Sequence, residues 1–383
     1  MMGRPLSELV PQHIRRFEPY TPSRPDAVLM KLHGVDRLHR LNNNENSLGP
    51  PPRAVEVVEA SQGGRAAIYP SGDCYTLRHE LARASGLSPD QYLVSNGANE
   101  AISIVVKAFC EPGDNIVTAD RTFAVYEWVA LFSGVEPRLV PLSGLTFDDR
   151  GMLDRIDVRT KVVFVCNPNN PTGTYWSSSR LRSFLDEVDG RCVVVVDEAY
   201  FEFVEKDDYP DATRLIEQYP NLVVFRTFSK MYGLAGLRIG YLAAQPELVD
   251  IIRRAYVVYS VNTVAQEAAL AAVGDAGHIE RSRDMVREAK AYLAGALPPM
   301  GLTFLCHEGN FVMVELPMSD TLAYRELMRR GIMVRAMTGF RFPNHVRITL
   351  SVPDVMRALV DALSEILERS RSRRITPAPA APR

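Results

Sequence analysis

With 383 residues, 46% of them hydrophobic, the chain has material for a large core, and the usual size of a folding unit divides it into two or three lobes. A formal net charge of −2 gives no general attraction for polyanions, so nucleic acid is not an expected partner. No stretch approaches the roughly 18 apolar residues of a bilayer span, and the opening MMGRPLSELVPQHIRRF lacks the apolar centre of an export signal, so a cytoplasmic protein away from the membrane is expected.

In chain order, the segment 1–49 is loop-rich and is expected to pack with the smaller of two lobes. From about residue 50 to 275, apolar runs of strand length alternate with amphipathic stretches. The runs are DNIVTAD (114–120), KVVFVCN (161–167), CVVVVDEAY (192–200) and NLVVFRTFS (221–229). Unbroken Val/Ile/Phe runs suit strands buried on both faces, as in a parallel sheet. Residues 123–134, 177–190 and 212–219 read as covering helices, which gives an α/β fold with a mostly parallel open sheet. After about 275 the texture changes. A charged helix over 278–297 precedes the strand-like stretches 302–316, 332–337 and 345–351, with a helix over 320–331, and this predicts a smaller α+β domain over 276–368. The tail 369–383, RSRSRRITPAPAAPR, is too polar and proline-rich to pack and is expected to be disordered.

Five cysteines without a CxxC pair, and scattered histidines, predict reduced thiols and no metal site; Cys306 and His307, adjacent on a strand, would point to opposite faces. In open parallel sheets, ligands bind beyond the carboxyl ends of the strands. There the sequence puts PNNPTG after one run, Asp197 and Tyr200 after a second, and Ser229 and Lys230 after a third. Nucleotide fingerprints are missing, since neither GxxxxGK[ST] nor GxGxxG occurs. SNGANEAISIVVKAF (95–109) nonetheless puts a glycine turn before a helix, where backbone N–H groups attract an anion, and Thr227, Ser229 and Arg238 add donors for one phosphate. A helix cap accounts for 95–99 equally well in isolation.

An acid closing a run of four valines needs a cationic partner. A protonated pyridine nitrogen is one, and pyridoxal 5'-phosphate brings it together with a phenolic oxygen for Asn170 and Tyr200, an aldehyde for Lys230 and a phosphate for the donors above.

NPNNPTG (167–173), DEAY (197–200) and TFSKMYGLAGLRIGY (227–241) together resemble the fold type I pyridoxal-phosphate aminotransferases, and within them the histidinol-phosphate aminotransferase branch, over roughly residues 13–368. The resemblance implies Lys230 as the lysine that forms the Schiff base, Asp197 at the pyridine nitrogen, Asn170 and Tyr200 at the phenolic oxygen, and Thr227, Ser229 and Arg238 at the phosphate. Ala98 and Asn99 match positions that give backbone amides to that phosphate, and Phe123 in RTFAVY matches the ring that stacks on the cofactor. Arg347 in HVRITLS matches the arginine that grips the substrate carboxylate, and Tyr69 in IYPSGD a tyrosine that reaches the neighbouring subunit's phosphate, which implies a homodimer with shared active sites.

RFEPYTPSRP, LNNNENSLGPPP and VNTVAQ also look like the histidinol-phosphate branch, with Tyr20 near the substrate side chain. Ser47 replaces the branch's proline, and VVYSVN (257–262) stands where the branch has PFNVN, in a segment that lines the substrate region. Arg335 in IMVRAM has two open readings, a substrate-phosphate ligand or a structural arginine. The expected reaction moves an amino group from histidinol phosphate or an aromatic amino acid to a 2-oxo acid such as 2-oxoglutarate. A threonine-phosphate type decarboxylase, or an oxidase or cyclase of a biosynthetic pathway, keeps the same cofactor residues, while a non-enzymatic regulator fits less well because no DNA-reading extension is present and Lys230 is retained.

Overall fold

The computed structural model describes residues 5–18, 24–61 and 66–375. The strands run β1 (His39–Leu41), β2 (Tyr92–Ser95), β3 (Asn115–Ala119), β4 (Glu136–Val140), β5 (Thr160–Cys166), β6 (Val193–Asp197), β7 (Leu222–Thr227), β8 (Gly240–Ala244), β9 (Phe304–Leu305), β10 (Phe311–Glu315), β11 (Ile332–Ala336) and β12 (His345–Thr349). They belong to two compact units, one built on residues 1–21, 48–282 and 307–309, the other on 22–47, 283–306 and 310–383.

In the larger unit a seven-stranded sheet has the order β2-β8-β7-β6-β5-β3-β4. From β4 to β7 all neighbours are parallel, and β8 runs antiparallel to both β7 and β2. Of the runs picked out in the sequence, β3 and β6 are buried along their whole length, and β5 and β7 at all but one residue. Helices Ala98–Phe109, Val125–Phe132 and Ser178–Val188 follow the strands as the alternation requires. Residues 212–219 do not form the expected helix. They make only a 3-10 turn, Ala212–Leu215, whose N-cap Asp211 accepts the Thr213 N–H and is itself held by Arg226.

The smaller unit carries a five-stranded sheet of order β1-β11-β12-β10-β9, antiparallel except for the β1–β11 pair. The stretch 302–316 is not one strand: Gly309 takes φ 99°, and the chain breaks into β9 and β10. Cys306 and His307 therefore lie in the connection rather than on a strand, and residues 307–309 pack with the larger unit, where Glu308 N–H donates to the Gly173 carbonyl at 2.9 Å. Gly173 is required there: a Cβ would meet the Glu308 carbonyl oxygen at 2.6 Å.

Two boundaries differ from the sequence expectation. Only residues 22–47 of the opening segment join the smaller unit; the earlier part sits on the larger one, with Phe17 edge-on to Phe132 at 5.7 Å. The changeover near the smaller unit comes at 282/283, inside the helix Ala276–Ala296, rather than at 275/276. The last helix, Pro353–Ile375, runs on into the segment expected to be disordered. Its nucleus is already packed through Leu359, Leu363, Ile366 and Leu367, arginine is a good helix former, and no proline interrupts before Pro377. Residues 376–383 lie outside the described residues. Among the described residues no helix is long and apolar enough to cross a membrane.

Candidate active site

The parallel strands β5, β6 and β7 end side by side: Cys166 pairs with Asp197, and Asp197 with Phe225. The loops that follow carry the residues singled out for chemistry. Asp197 is 3% exposed. Its Oδ2 accepts the Tyr126 phenol at 2.6 Å and its Oδ1 the Ala199 N–H at 3.1 Å. Burial pushes its carboxyl up, and these two donors and the ammonium of Lys230 pull it back. Lys230, half-buried in the loop after β7, thus acts electrostatically on the acid of the neighbouring strand. The loop itself is a tight turn, with Ser229 N–H on Thr227 Oγ1 at 3.1 Å and Gly233 N–H on the Lys230 carbonyl at 3.2 Å.

Asn170 and Tyr200, in the loops after β5 and β6, are both buried. The first loop contains cis Asn167-Pro168 and Asn170-Pro171 bonds. It is braced by Asn169, whose amide donates to the Arg121 carbonyl at 3.1 Å and Thr172 Oγ1 at 2.9 Å and accepts from Thr122 Oγ1 at 2.8 Å.

A second group gathers around Gly240. In the sheet register Gly240 stands between Ser95 and Thr227, and a Cβ on it would lie 3.5 Å from the Ala98 nitrogen. Arg238, two residues earlier, extends across Gly97, where a Cβ would meet Nη2 at 2.5 Å. Gly97 opens the helix Ala98–Phe109 with φ 80° and brings no side-chain cap to its first N–H groups. The structure therefore brings together the helix start at Ala98, Thr227 and the Arg238 guanidinium, and Ser229 adjoins them through its N–H on Thr227 Oγ1. Phe123 lies edge-on to Tyr126 at 5.6 Å, next to Asp197.

Tyr69 stands apart from this group: it is 81% exposed, and its ring stacks on Tyr259 at 4.9 Å. Tyr20 lies outside the described residues. In the smaller unit Arg347 is not a surface arginine but 5% exposed, donating from Nη2 to the Asn42 carbonyl at 2.7 Å. Arg335 is its direct register partner on β11.

Sequence reasoning missed Tyr126, although the helix expected over 123–134 put it one turn after Phe123; in the structure Phe123 precedes that helix. It also missed a charge cluster behind the site. Arg226 donates to Glu198 at 2.8 and 3.0 Å and to Asp211 at 2.7 Å and lies 3.6 Å over the Phe201 ring. Burial pushes the Glu198 carboxyl up to about 7, against the pull of Arg226. The only signal in the sequence was an arginine inside an apolar run.

Comparison with known proteins adds three findings. Residues 37–363 match the family model described as aminotransferase class I and II. The histidinol-phosphate aminotransferase of Symbiobacterium thermophilum is 40% identical over 355 residues, 92% of this chain and 97% of that protein, and that of an Anaeromyxobacter species 37% identical over 361 residues, covering 94% and 99%. The crystal structure of histidinol-phosphate aminotransferase from Sinorhizobium meliloti in complex with pyridoxal-5'-phosphate superposes with a TM-score of 0.83 at 26% identity, over 93% of this chain and 98% of that one.

Proposed function

The chain belongs to the class I and II aminotransferases, and on that premise we propose that it moves an amino group between a histidinol-phosphate type amino donor and a 2-oxo acid such as 2-oxoglutarate, using pyridoxal 5'-phosphate. The observation that carries the reading is Asp197: an acid 3% exposed, closing an otherwise apolar strand, under the influence of the lysine in the loop after the next strand. The donor set fits the cofactor. Asp197 suits a cationic ring nitrogen, and the bare helix start at Gly97 with Arg238 across it suits a phosphate. When bound, the cofactor supplies an aldehyde carbon and a ring that accepts the electron pair released at the substrate Cα.

The chain's own residues then have distinct tasks. Asp197 holds the ring-nitrogen proton in place, and Asn170 and Tyr200 hydrogen-bond the ring oxygen. Phe123 covers the ring face, while the amides of Ala98 and Asn99 with Thr227, Ser229 and Arg238 hold the phosphate. Lys230 Nζ would take the proton from the substrate Cα and deliver it to the carbon that the cofactor brings as its aldehyde. Arg347 holds the substrate carboxylate in a two-pronged grip, and Arg335, its register partner, holds a substrate phosphate; two like charges directly opposed in a sheet cost stability unless an anion joins them. Tyr20 borders the substrate side chain.

A homodimer with shared sites completes the reading. The exposed Tyr69 and Tyr259 stack, together with Ile68, Val257 and Val258, forms an apolar patch of the kind that marks an interface, and Tyr69 reaches the partner's phosphate from it.

The test is a panel of amino donors with 2-oxoglutarate, reading glutamate and carbon dioxide, after borohydride trapping and peptide mapping. Glutamate from histidinol phosphate, no carbon dioxide, and the label on Lys230 are expected. Carbon dioxide release, or glutamate only from other donors, overturns the substrate assignment; a label elsewhere overturns the site.

A further inference from the structure

The carboxylate of Asp197 has two oxygens, and the fold fixes both. Oδ1 takes the Ala199 N–H, a contact made by the strand end itself. Oδ2 takes the phenol of Tyr126 at 2.6 Å, and this donor comes from a separate element, the helix Val125–Phe132. The phenol has little room to turn. Tyr126 is 0% exposed, its ring is stacked on Phe164 at 4.7 Å and 9°, and the edge of Phe123 meets it at 5.6 Å and 84°. Other polar groups around it are Cys166, whose thiol donates to the Pro168 carbonyl at 3.3 Å, and Lys230, acting on the same acid. One side chain thus touches both the acid assigned to the ring nitrogen and the ring assigned to stacking.

We propose that Tyr126 is a positioning residue of the transamination site, holding Asp197 ionised and oriented toward the cofactor's ring nitrogen through a hydrogen bond from its phenol. This rests on the assignment of Asp197 to that nitrogen. The physical reason is that burial alone favours the neutral acid, and a donor to the charged form opposes that preference. The phenol is a dependable donor: shielded from water and beside a carboxylate, it is pushed well above its usual ionisation range and keeps its proton. Without it Asp197 holds a proton more tightly, and the ring nitrogen carries less positive charge.

Tyr126→Phe deletes one oxygen and leaves the stacking intact. A hydrogen bond to a charged group stabilises by about 1.5–3 kcal/mol, so the apoprotein of the variant should bind pyridoxal 5'-phosphate roughly 10–100-fold more weakly. The pH midpoint of the bound cofactor's visible band should rise, because a less positive ring nitrogen lets the lysine-bound end keep its proton to higher pH. Asp197→Asn should shift it in the same direction by more. A cofactor analogue with carbon in place of the ring nitrogen separates positioning from packing: the Tyr126→Phe penalty should disappear with it, whereas damage to the pocket weakens both ligands alike. Equal weakening of both, or an unchanged midpoint in Tyr126→Phe while Asp197→Asn shifts it, overturns the proposal. An unchanged midpoint in Asp197→Asn overturns the assignment of Asp197 and the role of Tyr126 with it.

Discussion

Each unit sets an arginine in the middle of an apolar run, Arg226 12% exposed and Arg347 5%, and the two are held in different ways. Arg226, on β7 of the larger unit, has Glu198 and Asp211 on its guanidinium and the Phe201 ring beneath it. Arg347, on β12 of the smaller unit, donates to a backbone carbonyl and faces a second arginine across the ladder. The first charge is matched by acids of the same fold; the second has another arginine as its direct register partner, and like charges directly opposed in a sheet oppose stability. The two arginines thus have different surroundings, although FRT and VRIT look alike on paper, and the proposed substrate role of Arg347 predicts that they respond differently to replacement.

Replacing each arginine by methionine, which keeps the apolar stem, tests this contrast directly. In Arg226→Met the carboxylate of Glu198, 0% exposed, is left in the core without its cation, and losing one partner of a buried pair costs about 3–5 kcal/mol in denaturant unfolding. The loss should grow as pH rises. The Glu198 carboxyl is already pushed up to about 7, and without Arg226 it goes higher, so above the unfolded value near 4.5 the folded state binds more protons than the unfolded one and stability falls with pH until the folded carboxyl has titrated. A stability change under 1 kcal/mol would mean that Glu198 does not depend on Arg226.

In Arg347→Met the expected pattern is reversed. The hydrogen bond to Asn42 is lost but the repulsion from Arg335 goes with it, so the unfolding free energy should move by no more than about 1 kcal/mol. KM for the 2-oxo acid should rise roughly 10–100-fold, the cost of one charge-assisted contact, with the cofactor still bound. Arg347→Lys, which keeps the charge but not the fork, should recover only part of that loss. Normal KM with lowered stability would place Arg347 in the same class as Arg226.

The two regions were also unequally legible in the sequence. The strand runs around 164, 195 and 224 announced themselves because parallel strands buried on both faces leave no polar alternation, and the strand-end rule then pointed to Asp197 and Lys230 without any contact being known. Strands β2, β4 and β8 were not singled out: β2 has only four residues, β4 carries Glu136, Pro137 and Arg138, and β8 follows a glycine-rich turn. Tyr126 and Arg226 escaped because their partners, Asp197 and Glu198, lie 71 and 28 residues away. Hydrogen bonds at that separation are made by the fold and leave no local pattern. Arg347 was picked out by resemblance, and its burial and its pairing with Arg335 came only from the register of the smaller sheet.

His278 extends the contrast to a base that the fold keeps neutral. It is 3% exposed near the start of the helix Ala276–Ala296, and its Nε2 lies 3.1 Å from the carbonyl oxygen of Met231, the residue after Lys230. A carbonyl only accepts, so Nε2 carries the proton and the neutral ring satisfies it. Burial is the largest influence and lowers the imidazole's affinity for a second proton below its usual 6.5, with Arg281 adding to the effect and Met231 and Asp275 opposing it. The sign follows: the unfolded chain takes up a proton at His278 as pH drops through 6.5 while the folded one resists, so this stability is fully present above 6.5 and is lost toward the lower folded value. His278→Gln retains a donor for Met231 and removes the titration. Its melting temperature should therefore fall slightly less than the parent's between pH 8 and pH 5.5, by about 1 °C or less, the response of a chain this size to a fraction of a kcal/mol. Parallel melting curves across that range would mean that His278 binds its proton equally in both states.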